Sequence, residues 1–312
     1  MPRTVALTGA TGFIGSTLAR RLDAAGWQLR VLVRPESRLT RLTGLPVDRV
    51  QGDLEDMESL LRLMHGVYGV VHCAGAVRGA SRADFDRVNV DGVARAVKAA
   101  TEMVPPPRFL LISSLAAREP HLSPYAASKR LGEKALAKGA GGMFWTALRP
   151  SAVYGPGDRE LLPLFRWMSR GIAPVLGSCH ARISLLYVDD LAGAVLRWLD
   201  CESRASRIFE LHDGTPHGYT WDDVVRIAVR LRGRPVVRLK VPRPVLELLA
   251  TLNLMAARML GYAPMLTPGK VRELTHPDWG CDNSAFFRET GWTPSVSLEQ
   301  GLRATLKWNI AA

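Results

Sequence analysis

Along the first 150 positions, short apolar runs alternate with stretches whose apolar residues recur at three- and four-residue spacing. The runs at 3–8, Leu29–Val33, Val47–Gln51, Val67–Cys73, Phe109–Ser113 and Met143–Leu148 read as strands. Between them, 14–25 places Ile14, Leu18, Ala19 and Leu22 on one helical face, and Gly26 ends it. Met57–His65, Asp84–Thr101 and Pro124–Lys138 carry the same pattern. Strands alternating with helices predict an α/β fold, a doubly wound parallel sheet covered on both faces.

After Arg149-Pro150 the rhythm breaks into Pro- and Gly-rich segments. A strand–helix unit then returns at Ile183–Tyr187 and Val188–Leu199, followed by a strand at Arg207–Leu211. Capping boxes at Thr220–Asp223 and Ser297–Gln300 start two more helices. The expected division is a dinucleotide-binding domain at 1–154, with 181–212 returning to it, and a smaller, mostly helical C-terminal substrate lobe within 155–312. The segment 242–261 is unusually apolar. It reads as a helix buried at the lobe interface. As alternatives it is a lid over a hydrophobic substrate or a surface for peripheral lipid contact, and Arg243, Glu247 and Arg258 argue against its spanning a bilayer.

Composition narrows the function. The 312 residues carry a formal charge of +12, but no run of five or six basic residues occurs. That argues against nucleic acid and fits an anionic cofactor or substrate. Cys73, Cys179, Cys201 and Cys281 are scattered without a CxxC pair, which predicts free thiols in a reducing cytoplasm and no metal. No apolar run is long enough for a membrane span, and a strand beginning at residue 3 leaves no room for a leader. A cytoplasmic protein is expected.

The turn Thr8-Gly9-Ala10-Thr11-Gly12-Phe13-Ile14-Gly15 joins the first strand to the first helix. In that context three glycines form a dinucleotide cradle: Gly9 for the turn, Gly12 for close approach of a pyrophosphate, Gly15 for tight helix packing. The second strand ends at Arg34, with Ser37 and Arg38 behind it, where an acid would select NAD. A guanidinium suits a 2′-phosphate, so NADP is expected, with NAD possible. Asp53 accepts an adenine amino group with Leu54 against the ring, or alternatively caps the helix before Met57. Cys73, Ala74 and Gly75 follow the fourth strand as small residues that let backbone lie against the cofactor.

Tyr125 and Lys129 stand four apart on a helix that opens with Ser123 and Pro124, so they share a face. An ammonium beside a phenol favours the phenolate. The tyrosine then exchanges a proton with an alcohol or ketone, and the lysine reaches the nicotinamide ribose. Ser114, or its neighbour Ser113, is placed to hold the substrate oxygen.

The motifs TGATGFIG, VNVDG with Asn89, Ser113-Ser114, YAASK and RPSAVYGPGD resemble the extended short-chain dehydrogenase/reductase superfamily, also called the NAD-dependent epimerase/dehydratase family. The resemblance covers nearly the whole chain and is nearest the sterol-dehydrogenase-like and dihydroflavonol-reductase-like members. It implies a Rossmann-type domain in which Gly9, Gly12 and Gly15 bind pyrophosphate and Arg34 reads the cofactor. It further implies that Ser114, Tyr125 and Lys129 are catalytic and that Pro150 borders the nicotinamide. Tyr187–Asp190 is similar to the family's return to the sheet, and Asn89 reads as structural.

The expected activity is an NADP(H)-dependent interconversion of a secondary alcohol and a ketone on a fairly apolar small molecule. Two alternatives stay open. One is a nucleotide-sugar epimerase or dehydratase, with Arg159, Arg182 and Arg243 as candidate diphosphate ligands. The other is a non-catalytic nucleotide-sensing or assembly subunit. Only ten residues separate Ser114 from Tyr125, which shortens a substrate-facing loop. Helices 84–101 and 124–138 could form the seam of a homodimer.

Overall fold

A computed structural model describes residues 3–202 and 206–306; the last six residues of the expected lobe lie outside the described residues. The first half runs β1 (Thr4–Thr8), α1 (Phe13–Ala24), β2 (Gln28–Val33), β3 (Val47–Gln51), α2 (Met57–Met64), β4 (Gly69–His72), α3 (Arg82–Asp86), α4 (Gly92–Thr101), β5 (Arg108–Ile112), α5 (Pro124–Gly139) and β6 (Trp145–Pro150). The second half runs β7 (Ala152–Tyr154), α6 (Leu162–Ser169), β8 (Ile172–Leu176), β9 (Leu185–Tyr187), α7 (Val188–Asp200), β10 (Arg207–Leu211), α8 (Trp221–Arg232), β11 (Val237–Val241), α9 (Arg243–Leu260), α10 (Pro268–Leu274), α11 (Ser284–Thr290) and α12 (Leu298–Leu306).

Seven of these strands pair in parallel in the order β10-β6-β5-β4-β1-β2-β3. The two-residue period of a strand splits the core into two layers. Val5 and Leu7 of β1 pack with Leu18 and Leu22 of α1 and with Leu191 and Trp198 of α7. Ala6 faces the other way, toward Leu60 of α2, Val97 of α4 and Leu136 of α5. The strand order reverses between β1 and β4, so the crevice of a doubly wound sheet opens above the glycine turn. The chain returns to this sheet through β10, which pairs with β6. The Tyr187–Asp190 stretch does not: β9 pairs with β7 in a separate two-stranded ribbon.

The expected helix 84–101 is interrupted. Residues Arg87–Asp91 form a π turn between α3 and α4, and it carries Asn89. The wider turn lets the Asn89 amide bridge outward, donating to Ala76 O and to Ser128 Oγ at 2.9 Å each and accepting from Ala76 N. Helix α2 is capped by Asp56, not Asp53; Asp53 accepts from the amides of Glu55 and Asp56 one turn earlier. The C-terminal lobe holds, besides its helices, a second parallel ribbon of β8 and β11. Its core gathers Tyr154, Phe165, Trp221 and Leu298. Lys98 of α4 and Lys134 and Lys138 of α5 are exposed, so the two helices present cations outward.

One buried ion pair joins three elements beneath α5. Glu133 of α5, 1% exposed, accepts from Arg149 Nε and Nη2 at 2.8 Å each and from Ser113 Oγ at 2.6 Å. Arg149 Nη1 reaches Glu210 of β10 at 3.3 Å. Removing one partner of such a pair strands a buried charge, at a cost of about 3–5 kcal/mol. Glu133→Ala should therefore lower unfolding free energy by that order in a denaturant melt. Glu133→Leu combined with Arg149→Met should recover most of it.

Candidate active site

The glycine turn is built by close approach. Gly9 has φ +71°, and a Cβ there would lie 2.6 Å from Ala74 N in the loop after β4. A Cβ on Gly15 would come within 2.1 Å of Gly9 O, so this glycine seats α1 against the turn itself rather than against the strand. Gly12 begins α1 with ordinary extended angles, and its missing Cβ meets protein only at Gly9 O, 3.2 Å away. Helix α1 has no side-chain cap and no acid in its first turn. Its N-terminal amides and the positive end of its dipole therefore face the crevice, which suits a pyrophosphate.

Thr11, Phe13 and Ile14 are half-buried along this turn, and Ile14 packs onto the core beneath α1. Arg34 and Arg38 are exposed beyond β2, with Arg34 Nε 3.3 Å from Glu36. Arg41 was not singled out by its sequence context. It donates to Gly157 O at 3.0 Å, and burial and the charges of Arg159 and Arg20 lower its pKa. Gly157 lies against both Arg41 and Phe13. Leu54 packs on Gly92 of α4. Thr8 Oγ1 accepts from Ala74 N, and Pro150 is buried at the end of β6.

Burial pushes the Cys73 thiol up to about 12 and the His72 imidazole down to about 3, so neither exchanges protons near neutrality. The residues that do face the crevice are on α5. Ser123 caps the helix, accepting from Ala126 N at 2.9 Å. Tyr125, Lys129 and Glu133 then follow at four-residue spacing, on one face.

Ser114, just past the end of β5, lies near enough to the Tyr125 hydroxyl to lower its pKa, whereas Ser113 is turned inward onto Glu133. Lys129 Nζ donates to Ile112 O at 2.8 Å and lies close to Gly75. The structure thus brings Ser114, Tyr125, Lys129, Gly75 and the glycine turn to one crevice. Arg34 and Arg38 stand apart from these at the far end of β2, and Asp53 at the end of β3.

The expected effect of Lys129 on the phenol is corrected. Burial raises the Tyr125 pKa, and what opposes it is the Ser114 side chain and the charge of Lys270, not Lys129. Lys270 comes from α10 in the C-terminal lobe, with its ammonium 5.9 Å from the Tyr125 ring centre. Burial opposes its charge, but Glu273, bonded to it at 2.8 Å, holds its pKa above the ordinary value. Glu273 also accepts from Ser123 Oγ, and Arg272 donates to Leu122 O at 2.7 Å. The short Ser114–Tyr125 loop leaves room for this docking: a Cβ on Gly269 would lie 2.8 Å from Ser123 Cβ. Nothing local in the sequence ties Pro268-Gly269-Lys270 to a tyrosine 145 positions earlier.

A cavity of about 220 Å³ opens in front of Tyr125. Val77, Phe85, Leu254 and Met265 make much of its wall, and Lys270 and Arg258 are among its charged members. Arg159, Arg182 and Arg243 do not line it.

The sequence matches the NAD dependent epimerase/dehydratase family over residues 5–211. The chain belongs to this family. As a member it is an NAD(P)-dependent oxidoreductase of the short-chain dehydrogenase/reductase type. A ceramide reductase of Caulobacter vibrioides is 38% identical over 309 residues, spanning 99% of this chain and 95% of that protein. A sterol-4-alpha-carboxylate 3-dehydrogenase of Schizosaccharomyces pombe is 28% identical and spans 99% and 98%. Among solved structures, a UDP-glucose 4-epimerase of Thermotoga maritima superposes with a TM-score of 0.75 at 22% identity over 98% of each chain, which reflects the shared fold. Among the described residues no helix is long and apolar enough to cross a membrane.

Burial moves the Lys129 pKa from 10.5 down to about 8, against the opposing charges of Cys73 and Glu133. At about 1.4 kcal/mol per pH unit, the charged form in the folded protein is disfavoured by roughly 3 kcal/mol. Because the unfolded chain holds this proton to higher pH, folding gains stability as pH rises from 8 to 10.5. Denaturant melts across that interval should show wild type gaining on Lys129→Met by up to about 3 kcal/mol.

Proposed function

We propose that the enzyme is an NADP(H)-dependent reductase or dehydrogenase that interconverts a secondary alcohol and a ketone on an amphipathic, largely hydrocarbon molecule. The observation that carries this reading is Tyr125, beside Ser114, at the wall of a mainly apolar cavity. Relatives named for ceramide, sterol and 2-alkyl-3-oxoalkanoate chemistry support the substrate class.

The cradle fits a nicotinamide dinucleotide. Gly9 and Gly15 leave no room for side chains in the turn, and the uncapped α1 offers amides to a diphosphate. Thr11, Gly12, Phe13 and Ile14 would line its path, with Cys73, Ala74 and Gly75 across the crevice. Asp53 and Leu54 would meet the adenine end, and Pro150 the nicotinamide end. Arg34 and Arg38 would receive a 2′-phosphate, for which their charge argues and which favours NADP over NAD. When bound, the nicotinamide supplies or accepts the hydride.

The chain's own residues handle the oxygen and its proton. Ser114 holds the substrate oxygen against Tyr125, whose phenol passes its proton to that oxygen in reduction and takes it back in oxidation. Lys270 and the Ser114 side chain favour the phenolate, against burial, and so keep the proton transferable. Lys129, anchored on Ile112 O, would hold the nicotinamide ribose. Val77, Phe85, Leu254 and Met265 keep water from the reacting carbon.

The lobe boundaries at 154, 181 and 212 divide the labour between cofactor and substrate. A nucleotide-sugar reading is disfavoured, because the three arginines available for a diphosphate lie off the cavity. A subunit without turnover would have no use for the Ser114–Tyr125 contact. The free cysteines fit a reducing cytoplasm. The exposed lysines of α4 and α5 would oppose each other in a homodimer built through those helices, so we read the single chain as the catalytic unit.

Tyr125→Phe should lower kcat by about 10²–10⁴-fold while the dissociation constant for NADPH, read by fluorescence, stays at the wild-type value. Full activity in that variant would overturn the assignment. Arg34→Asp should weaken NADPH binding by about 10–100-fold and leave NADH binding intact or improved.

A further inference from the structure

Helix α9 is apolar around most of its circumference, but the protein covers only one side. Leu246 and Ala250 pack against Val271 of α10, with Leu176, Val241 and Leu266 beside them. Val245, Leu248, Leu252, Met255 and Met259 lie on the opposite side, 46–86% exposed. At 3.6 residues per turn these five fall within an arc of about 80°, which Leu249 and Leu260 widen to roughly 140°. The expectation that this segment is buried in the lobe interface is therefore corrected: one side is, and the other is bare. A contiguous apolar face of this kind marks a place where something else docks.

Two further observations say what. First, α9 is a wall of the active site, since Leu254 and Arg258 line the cavity in front of Tyr125. Second, the surrounding sequence is strongly basic. From Arg230 to Tyr262 there are seven Lys and Arg against one Glu, so half of the chain's formal charge of +12 lies in this stretch. Arg238, Lys240, Arg243 and Arg258 are exposed, as are Val237 and Leu239 of the strand that leads into the helix. A second copy of the chain would bring these like charges together. The helix is about 27 Å long and about 10 Å wide, a footprint of roughly 270 Å². A stable dimer needs about 800 Å² per partner.

We propose that the outer face of α9 lies on the surface of an anionic lipid bilayer, with its apolar side chains among the acyl chains and the flanking cations at the headgroups. The cavity behind the helix then receives its amphipathic substrate directly from the membrane. This delivery step rests on the function proposed above; the docking does not.

The test uses the full chain and sucrose-loaded vesicles of phosphatidylcholine with 25% phosphatidylglycerol, against phosphatidylcholine alone. Wild type should sediment with the anionic vesicles, and raising the salt concentration should weaken this. Leu248→Glu combined with Leu252→Glu should reduce partitioning at least tenfold, with melting temperature, NADPH binding and turnover of a water-soluble ketone unchanged. As an independent reading, Leu252→Trp should shift its emission to the blue when anionic vesicles are added. Wild type left in the supernatant, or a double variant that sediments equally well, would overturn docking. So would light scattering that shows a dimer which the double variant dissociates. Vesicle binding without turnover of any ketone would leave docking standing and sink the catalytic reading instead.

Discussion

The active site depends on where α5 sits, and a single buried carboxylate decides that. Glu133 is gripped from two directions by the Arg149 fork and from a third by Ser113. A carboxylate desolvated to this degree is tolerable only with its partners complete, so the helix has little freedom to slide or turn. One and two turns before Glu133 on the same face come Lys129 and Tyr125. Their positions over the ends of β4 and β5 follow from the geometry of the helix once Glu133 is held. The same constraint settles the two serines: Ser113 is taken up by the ion pair, which leaves Ser114 for the phenol.

The acidity of that phenol is a contest that the folded chain arranges from both lobes. Burial favours the neutral form, and the Ser114 side chain and the charge of Lys270, carried in by α10, oppose it. Glu273 keeps Lys270 charged while also binding Ser123, the cap of α5. Docking of the C-terminal lobe and the electrostatics of the Tyr125 phenol are therefore one set of contacts. Lys129, four residues away, has its ammonium committed to Ile112 O and its pKa lowered by burial.

The cavity between the lobes combines an apolar wall with a few cations, and α9 gives that wall an outer surface as apolar as its inner one. A helix of this kind is costly to leave in water, since each leucine or methionine that is half or more exposed forgoes a large part of the roughly 1.5–3 kcal/mol that full burial would give. A partner that covers it recovers that energy, and the fold already pins the inner face through Leu246 and Ala250.

Much of this was legible in the chain alone, because it is local. Alternating apolar runs marked the strands, three glycines between a strand and a helix marked the cradle, and a four-residue spacing placed Tyr125 and Lys129 on one face. These signals need only the periods of strand and helix and the steric freedom of glycine. Other features were settled only by the fold. They include the partner of Ser113, the cap on α2, the π turn at Asn89, the cation facing Tyr125 and the bare side of α9. Each depends on which distant segment packs where, and a helical period shows that a face is apolar without showing what covers it. Lys270 lies 145 positions from Tyr125, and only the docking of α10 brings its charge to the ring.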